Sequence, residues 1–298
     1  MQRIFVGDVQ GCSAELESLL ARAEARFGSE FELWSVGDLV NRGPDSRGVL
    51  ERVRTLHEAG RARVVLGNHE LSLIACHLGL REPHRRDTIG SLLAAPDAAE
   101  WVRWLRSLPL VETGSLAGRR FAMVHAAVHP DWSLDTLLER AREVELRLAA
   151  ADDAEALAFL RETRLGQPKP GVEPGTIGFG CADWLDRMTC CRSVGPHDEW
   201  SSQPPGLDES AKPRRARVAW HLRWSKRKHD YGVVYGHWAQ QGLHVAKGLR
   251  GLDTGCVHQT AESPGWLTAW LPDLGESGFV RRDERFWRER AKRAYYQV

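Results

Sequence analysis

The chain has 298 residues, of which 42% are hydrophobic and 27% charged, and its formal net charge is +1. This balance is typical of a globular protein with a full core. The near-neutral charge argues against a dedicated binder of nucleic acid or anionic membranes, because such proteins carry a basic excess. The sequence shows no apolar stretch of the roughly 20 residues that span a membrane, no signal-peptide pattern, and six scattered cysteines rather than a disulfide framework. We therefore expect a cytoplasmic protein without membrane contact.

The first 125 residues alternate short apolar runs with helical patterns. Buried strands are predicted at Arg3–Val6, Phe31–Val36, Ala62–Leu66 and Arg119–Val124, and helices at Ser13–Arg26, Asp45–Ala59 and Glu70–Leu80. Ser13 is expected to cap the first of these helices through its hydroxyl. Strands that alternate with helices predict βαβ units and a largely parallel inner sheet.

The rest of the chain is more helical in the middle and returns to strands near its end. Helices are predicted at Asp97–Ser107, Leu134–Ala149, Ala154–Leu165 and Glu284–Arg293, loops at 167–180 and 196–213, and strands at Gly232–Tyr235, Leu249–Leu252 and Trp266–Leu271. We expect a single domain of class α/β over residues 1–275, with a helical and loop insert at about 84–225. A charged tail is expected at 276–298.

Polar side chains follow five of the apolar runs at the point where each run ends. The runs deliver Asp8, Asp38, Asn68 with His69, His125, and His237, most of them directly after a glycine. In an open α/β sheet, ligands bind beyond the carboxyl ends of the strands. These side chains are therefore expected to converge on one pocket.

Mixed carboxylate, amide and imidazole donors suit a pair of divalent ions. They favour Mn, Fe, Zn or Co over Ca or a thiolate-bound metal. One carboxylate can bridge two ions about 3.5–4 Å apart, an arrangement that activates water and stabilises a departing oxygen. Any one of these residues alone is a weak signal, since a lone histidine is as often a core residue as a ligand. All five in this order predict a metal-dependent hydrolase.

The blocks around these residues resemble those of the calcineurin-like metallophosphoesterases, which read G-D-x-H-G, G-D-x-x-D-R-G, G-N-H-[DE] and two separated histidines. The resemblance implies a central β-sandwich flanked by helices, with a helical cap or insert, so the sheets are expected to be mixed. It implies that Asp8 and Gln10 bind the first metal and that Asp38 bridges. Asn68, His125 and His237 would complete the second metal. His69 would give a proton to the leaving group, and Arg42 would hold phosphate.

Blocks outside the metal ligands are similar to one branch of that superfamily, the bacterial symmetrical bis(5′-nucleosyl)-tetraphosphatases. They are Ser91–Trp101 with Trp104 to Leu110, His129–Trp132, Gly236–Ala239 and Leu252–Val257. This resemblance implies cleavage of diadenosine tetraphosphate into two ADP, with nucleoside-polyphosphate caps of RNA as a further substrate. Two divalent ions are implied, manganese first, with Co, Fe or Zn as alternatives. The expected substrate contacts are Arg42, Asn41, His69, Trp238 and Asp253. The oligomeric state is left open.

Two departures from the superfamily blocks keep alternatives open. Gln10 stands where histidine is usual, and an amide oxygen is the weaker ligand, so a nucleotide-binding sensor with a decayed first metal site is one alternative. A protein serine/threonine phosphatase is another, because Gly-Asn-His-Glu also occurs there. Asn41 counts against it, since it replaces the acid that orients the proton-donating histidine in that branch.

Overall fold

The computed structural model describes residues 1–166, 180–206, 217–259, 265–273, 275, 279 and 285–297. Its helices are α1 Ser13–Phe27, α2 Ser46–Glu58, α3 Asn68–His77, α4 Gly90–Leu93, α5 Ala98–Arg106, α6 Leu134–Leu148, α7 Asp153–Glu162, α8 Cys181–Cys190 and α9 Trp220–Trp224. Its strands are β1 Gln2–Val6, β2 Phe31–Ser35, β3 Ala62–Val64, β4 Val111–Leu116, β5 Arg119–Val124, β6 Ser193–Val194, β7 Trp200–Ser201, β8 Val218–Ala219, β9 Tyr231–Tyr235, β10 His244–Ala246, β11 Leu249–Gly251, β12 Asp253–Thr254, β13 His258–Gln259, β14 Trp266–Trp270, β15 Phe286–Arg290 and β16 Tyr296–Gln297.

The first large sheet has the order β12-β14-β1-β2-β3, and β15 also pairs with β14. Strands β1, β2 and β3 are parallel, and their last residues are in register: Val6 pairs with Ser35, and Ser35 with Val64. Strand β14 runs antiparallel to β1. The three parallel strands therefore end at the same edge of the sheet.

The second large sheet has the order β10-β11-β9-β5-β4. Strand β9 is parallel to both β5 and β11, whereas β4 and β10 are antiparallel to their neighbours. Three parallel strands thus end together in this sheet as well. The prediction of a largely parallel inner sheet is wrong, since both sheets are mixed, and the predicted sandwich of mixed sheets is confirmed.

Alternation of side chains along the central strands fills two separate apolar layers. Phe5 points between the sheets, where its ring lies 5.4 Å from that of Phe121 and 5.2 Å from that of Trp270. Its neighbours Ile4 and Val6 belong instead to the cluster that contains Leu16 of α1. Helices therefore cover the outer faces of a sandwich, and each central strand is buried on both sides.

Most elements lie within a few residues of their predicted limits, and the differences have local causes. Helix α1 is preceded by Cys12, which makes no capping bond, and the hydroxyl of Ser13 instead donates to Asp45 Oδ2 at 2.7 Å. The prediction of Ser13 as N-cap is therefore wrong. Helix α8 and strand β4 were not predicted. Eight of the ten residues of α8 are buried, including the polar side chains of Asp186 and Arg187. Of the predicted loops, 167–179 and 207–213 lie outside the described residues.

The charged stretch near the end of the chain forms a strand instead of the predicted helix. Residues Phe286–Arg290 pair antiparallel with Trp266–Trp270, so β15 extends the first sheet. Trp287 is buried and stacks on Phe27 of α1 with 6.0 Å between ring centroids. Pairing with the free edge of β14 and burial of the Trp287 indole stabilise a strand here more than the charge pattern favours a helix. The predicted domain limits stay a prediction.

No helix in the described part of the chain has the length and apolar character that crossing a membrane requires.

Replacement of Trp287 by alanine tests the tertiary role of β15. We expect Trp287→Ala to lower the free energy of unfolding by about 3 kcal/mol, because a buried indole leaves a cavity against α1. Urea unfolding would measure it, with the exposed neighbour Arg288→Ala as the matched control, expected within about 0.5 kcal/mol of the parent. Equal effects of the two variants would contradict the packing of this strand.

Candidate metal centre

The predicted donor residues all lie just beyond the aligned ends of the parallel strands. Asp8 follows β1, Asp38 follows β2, and Asn68 opens α3 after β3. From the second sheet, His125 follows β5 and His237 follows β9. Asp253, after β11, completes a set of three parallel strand ends in each sheet.

Donor atoms from both sheets converge around one point. One carboxylate oxygen of Asp38 and one ring nitrogen each of His125 and His237 lie within 4.8 Å of one another, and all three residues are buried. An amide atom of Asn68 lies 3.0 Å from Nε2 of His125 and 2.7 Å from Nδ1 of His237. The four residues predicted to hold the second metal are therefore brought together.

Hydrogen bonds to backbone carbonyls fix which nitrogen of each histidine faces this point. The Nδ1–H of His125 donates to the carbonyl of Val36 at 2.8 Å, and the Nε2–H of His237 donates to the carbonyl of Cys190 at 3.0 Å. A carbonyl can only accept, so the opposite nitrogen of each ring presents a lone pair to Asp38 and Asn68. The Asn68 amide satisfies both lone pairs when its NH2 group faces them. When its oxygen faces them instead, the lone pairs converge and fit a cation, and the outer contacts to backbone carbonyls are typical of metal-binding histidines.

A second group of acidic side chains borders the first. The backbone N–H of His237 lies 3.1 Å from both oxygens of Asp8, and the amide of Gln10 donates to Asp38 Oδ2 at 3.5 Å. Asp253 hydrogen-bonds the side chain of Asp8. Burial, with the neighbouring carboxylates, raises the pKa of Asp8 well above its ordinary value and that of Asp253 to about 6. Two carboxyls that share one hydrogen bond need either a proton or a cation between them.

The backbone adopts unfavourable conformations at these positions. Gln10, Asp38 and His237 have positive φ angles of 47°, 50° and 68°, and each such non-glycine residue costs about 1–3 kcal/mol. Gly67 packs directly against Asp38, since a Cβ there would lie 2.3 Å from Asp38 Oδ1. Strain concentrated on ligands is typical of a site whose geometry the surrounding structure imposes.

Glu70 is a buried residue that the sequence analysis did not assign to the site. Its carboxylate accepts hydrogen bonds from the backbone N–H groups of Gly67, Asp38, Leu39 and Val40 at 2.7–3.1 Å. Burial and the nearby Asp38 raise the pKa of Glu70, and these donors oppose the shift. Glu70 thus fastens the loop of Asp38 to the start of α3. Its place in Gly-Asn-His-Glu was the only sequence signal.

His69 contacts the carboxylate of Asp38, and Arg42 lies near enough for its charge to act on His69. Nε2 of His69 is 3.7 Å from Asp38 Oδ2, and Asp38 Oδ1 accepts from the backbone N–H of His69 at 2.8 Å. Burial lowers the pKa of His69, and the carboxylate of Asp38 partly offsets this effect. Arg42 donates to the carbonyl of Arg86 at 3.1 Å and lies 3.4 Å from Asp87 Oδ1.

Asn41 and Asp87 contact each other, and both contact Arg42. The Asn41 amide donates to Asp87 Oδ1 at 3.0 Å, and its oxygen accepts from the backbone N–H groups of Arg42 and Thr88 at 2.8 and 2.9 Å. Asn41 is buried and these bonds use its amide group, so the structure places it behind Arg42; its direct contact with substrate stays a prediction. Asp87, 46 residues away along the chain, could not be linked to the site from spacing.

Trp238 and a second arginine, Arg192, lie beside His237. Trp238 is partly exposed, and its ring centroid lies 6.1 Å from that of His221. Arg192 donates to the carbonyl of His237 at 3.1 Å, and the carboxylates of Asp253 and Asp38 act on its charge. Burial lowers the pKa of Arg192. Nothing in the sequence around Arg192 indicated this position.

Comparison with known proteins gives the family. The model of the calcineurin-like phosphoesterases matches residues 1–241, so the chain belongs to the calcineurin-like phosphoesterase family, as the sequence blocks predicted. The donor set described above fits the divalent ions that this family implies, because its histidines and carboxylates are aimed at one point.

Relatives within this family are named symmetrical bis(5′-nucleosyl)-tetraphosphatases. One from Janthinobacterium sp. (strain Marseille) is 37% identical, with 86% of this chain and 89% of the relative aligned. One from Shewanella sp. (strain ANA-3) is 35% identical over 98% of this chain and the whole relative. A crystal structure provisionally described as a diadenosine tetraphosphatase is 25% identical, covers 91% of this chain and 88% of its own, and has a TM-score of 0.55.

The acidic crowding predicts how stability depends on pH in metal-free protein. Unfolded aspartate has a pKa of about 4, whereas that of Asp253 in the fold is about 6. The folded chain therefore holds more protons between these values, and Asp253 costs up to about 3 kcal/mol as the pH rises through them. Urea unfolding of chelator-treated protein should show the parent losing stability relative to Asp253→Asn over this interval.

The exposed Asp135→Asn serves as the control for that measurement and should follow the parent at every pH. If a bound ion offsets the charge of Asp253, saturating divalent metal should remove the difference in the free energy of unfolding between the parent and Asp253→Asn at high pH. A parent that gains stability relative to Asp253→Asn as the pH rises would contradict a raised pKa.

Proposed function

We propose that this protein hydrolyses dinucleoside polyphosphates, cleaving diadenosine tetraphosphate symmetrically into two ADP, with two divalent ions and manganese as the first choice of metal. The convergence of Asp38, Asn68, His125 and His237 on one point carries the proposal. The names of the relatives, aligned over most of both chains, support the choice of substrate. Capped RNA is the further substrate to be tested.

Asp38 is the residue best placed to serve both ions. Its Oδ1 lies 3.4 Å from Nε2 of His125, and its Oδ2 faces Gln10 at 3.5 Å. Asp8 and Gln10 would hold the first ion on one side, and Asn68, His125 and His237 the second on the other. Bound there, the ions would supply Lewis-acid polarisation of the phosphoryl group and lower the pKa of the attacking water.

Gln10 would be a donor for the first ion, and its position favours this role over a decayed site. Its backbone N–H donates to the carbonyl of Asp38 at 2.7 Å, and its side chain is buried against the same residue. An amide oxygen is a weaker and harder donor than imidazole, which favours an oxygen-preferring ion such as manganese. This preference supports manganese over zinc in the first position.

His69 would give a proton to the leaving ADP. Its Nε2 faces Asp38, and its Nδ1 is buried without a hydrogen-bond partner among the described residues. Burial lowers its pKa, and a bound polyphosphate would raise it again, because an anion stabilises imidazolium. The bound substrate would thus favour protonation of His69, which then gives its proton to the leaving oxygen.

Arg42 lies near His69 and Arg192 lies near Asp253 and Asp38, so both border the donor set and suit an anion. Arg42 is held by Asp87 and the carbonyl of Arg86, while Arg192 is held at the carbonyl of His237. A guanidinium grips two phosphate oxygens in one plane. Two such groups at one site would suit the several phosphate groups of a polyphosphate chain.

The products formed from diadenosine tetraphosphate test the proposed reaction. Purified protein with manganese should release ADP alone, resolved by ion-exchange chromatography, because cleavage is at the central anhydride. AMP with ATP would overturn symmetric cleavage. Activity on phosphopeptides above that on the dinucleotide would assign the chain to the phosphoprotein phosphatases, and dinucleotide binding without turnover would make it a sensor.

Variants at the site tie that activity to the named residues. Asp38→Asn and His69→Asn should each lower turnover by at least about a hundredfold, the size usual for a general acid or an electrostatic contact. The exposed residues Asp135→Asn and His197→Asn provide the matched controls and should retain full turnover. Undiminished turnover in Asp38→Asn would place the reaction elsewhere.

Asp87 is expected to act as a positioning residue through Arg42. Asp87→Asn removes the charge that holds the guanidinium, and we expect kcat/KM to fall about tenfold, or about 1.4 kcal/mol of transition-state stabilisation, with unchanged metal content. Asp97→Asn, which breaks a bidentate pair with Arg47 on α2, is the control and should leave kcat/KM unaltered. A loss of bound metal in Asp87→Asn would contradict a role confined to Arg42.

A further inference from the structure

A second buried group of metal-type donors lies outside the centre described above. It consists of Cys12, Glu15 and Cys256, which we term the thiol–carboxylate cluster. Their two sulfur atoms and one carboxylate oxygen lie within 4.8 Å of one another. Cys12 and Glu15 are fully buried, and Cys256 is 2% exposed. None of the three belongs to the donor set around Asp38.

Glu15 has one satisfied and one unsatisfied carboxylate oxygen. Oε1 accepts from the backbone N–H of Lys292 and from the hydroxyl of Tyr295, both at 2.7 Å. Oε2 is buried and has no hydrogen-bond partner among the described residues. Glu15 lies in the first turn of α1. A buried carboxylate with an unused oxygen carries a desolvation penalty that a cation would remove.

The donor types decide which cation fits. Two thiols select a soft or borderline ion such as zinc, while manganese and magnesium prefer oxygen. Zinc binds sulfur at about 2.3 Å and carboxylate oxygen at about 2.0–2.2 Å, so tetrahedral ligands lie roughly 3.5–4 Å apart. The separations in the cluster need only a small contraction. Three protein donors leave a fourth position for water.

We propose that Cys12, Glu15 and Cys256 form a separate site for one zinc-type cation. Binding exchanges two thiol protons, released to solvent, for two metal–sulfur bonds and one metal–oxygen bond. The cation would join three segments that the chain brings together from afar. Cys12 continues the loop of Gln10, Cys256 continues the loop of Asp253, and Glu15 holds the C-terminal segment through Lys292 and Tyr295.

This site would make the geometry of the catalytic loops depend on a metal of a different class. Gln10 and Asp253 are two and three residues from the proposed ligands in sequence. Zinc at the cluster would therefore stabilise the first-metal side of the pocket without touching substrate. The inference stands independently of which phosphate compound the enzyme cleaves.

Cobalt titration distinguishes the two sites, because the donor set around Asp38 contains no cysteine. Chelator-treated protein, kept reduced with a phosphine, is titrated with Co²⁺ and watched for the near-ultraviolet thiolate-to-cobalt charge-transfer band. We expect the band in the parent, its loss in Cys12→Ser and Cys256→Ser, and a weakened band in Glu15→Gln. Cys76→Ser, on α3, is the matched control and should keep the full band. No band in the parent, or a band that survives in the double variant Cys12→Ser/Cys256→Ser, would overturn the proposal.

A measurement on the unaltered protein covers the case in which the serine variants do not fold. The parent is first saturated with manganese, then given one equivalent of zinc, and examined by X-ray absorption at the zinc edge. Two sulfur scatterers at about 2.3 Å are expected. A zinc shell of nitrogen and oxygen alone would overturn the proposal, since the zinc would then occupy the histidine site.

Discussion

Crowding of carboxylates in a water-poor pocket is the constraint on which this structure depends. Asp8, Asp38 and Asp253 arrive from strands of two different sheets and are each at most 5% exposed. Their repulsion raises the pKa of Asp8 and of Asp253, with burial as the larger cause. Protons or cations must offset such a charge, and bound divalent ions would do so without lowering the pH.

The protein holds these groups in place with backbone contacts more than with side-chain pairs. Glu70 fastens the loop of Asp38 by four main-chain hydrogen bonds, and carbonyls of Val36 and Cys190 orient the two histidines. Main-chain groups are fixed by the sheets, so the ligands need little reorganisation when ions bind. Positive φ angles at Gln10, Asp38 and His237 are the cost of that arrangement.

Each of the two sheets contributes part of the residues of the site. The first sheet supplies Asp8, Asp38 and the Asn68–His69 pair, and the second supplies His125 and His237. Asp253 lies where the chain passes from β11 of the second sheet to β12 of the first. Each sheet therefore carries an incomplete set, and the pocket exists only where their parallel strand ends meet. The thiol–carboxylate cluster differs in this respect, since Cys12 and Glu15 follow β1 and Cys256 follows β12, and both strands belong to the first sheet.

The sequence by itself predicted which polar side chains the fold brings together, because each follows a short apolar run whose end must lie at a sheet edge. It determined most helices and central strands for the same reason, since their periodicity is local. Tertiary structure decided the rest. Asp87 and Arg192 reach the site from positions that no spacing connects to it, and Glu70 gains its role only when the Asp38 loop lies above α3. Phe286–Arg290 has the charge pattern of a helix, yet it is a strand, because an open edge of β14 and a slot for Trp287 exist only in the folded chain. Local sequence pattern sets which conformations and side chains a segment can contribute, whereas long-range packing decides which of them the folded chain uses.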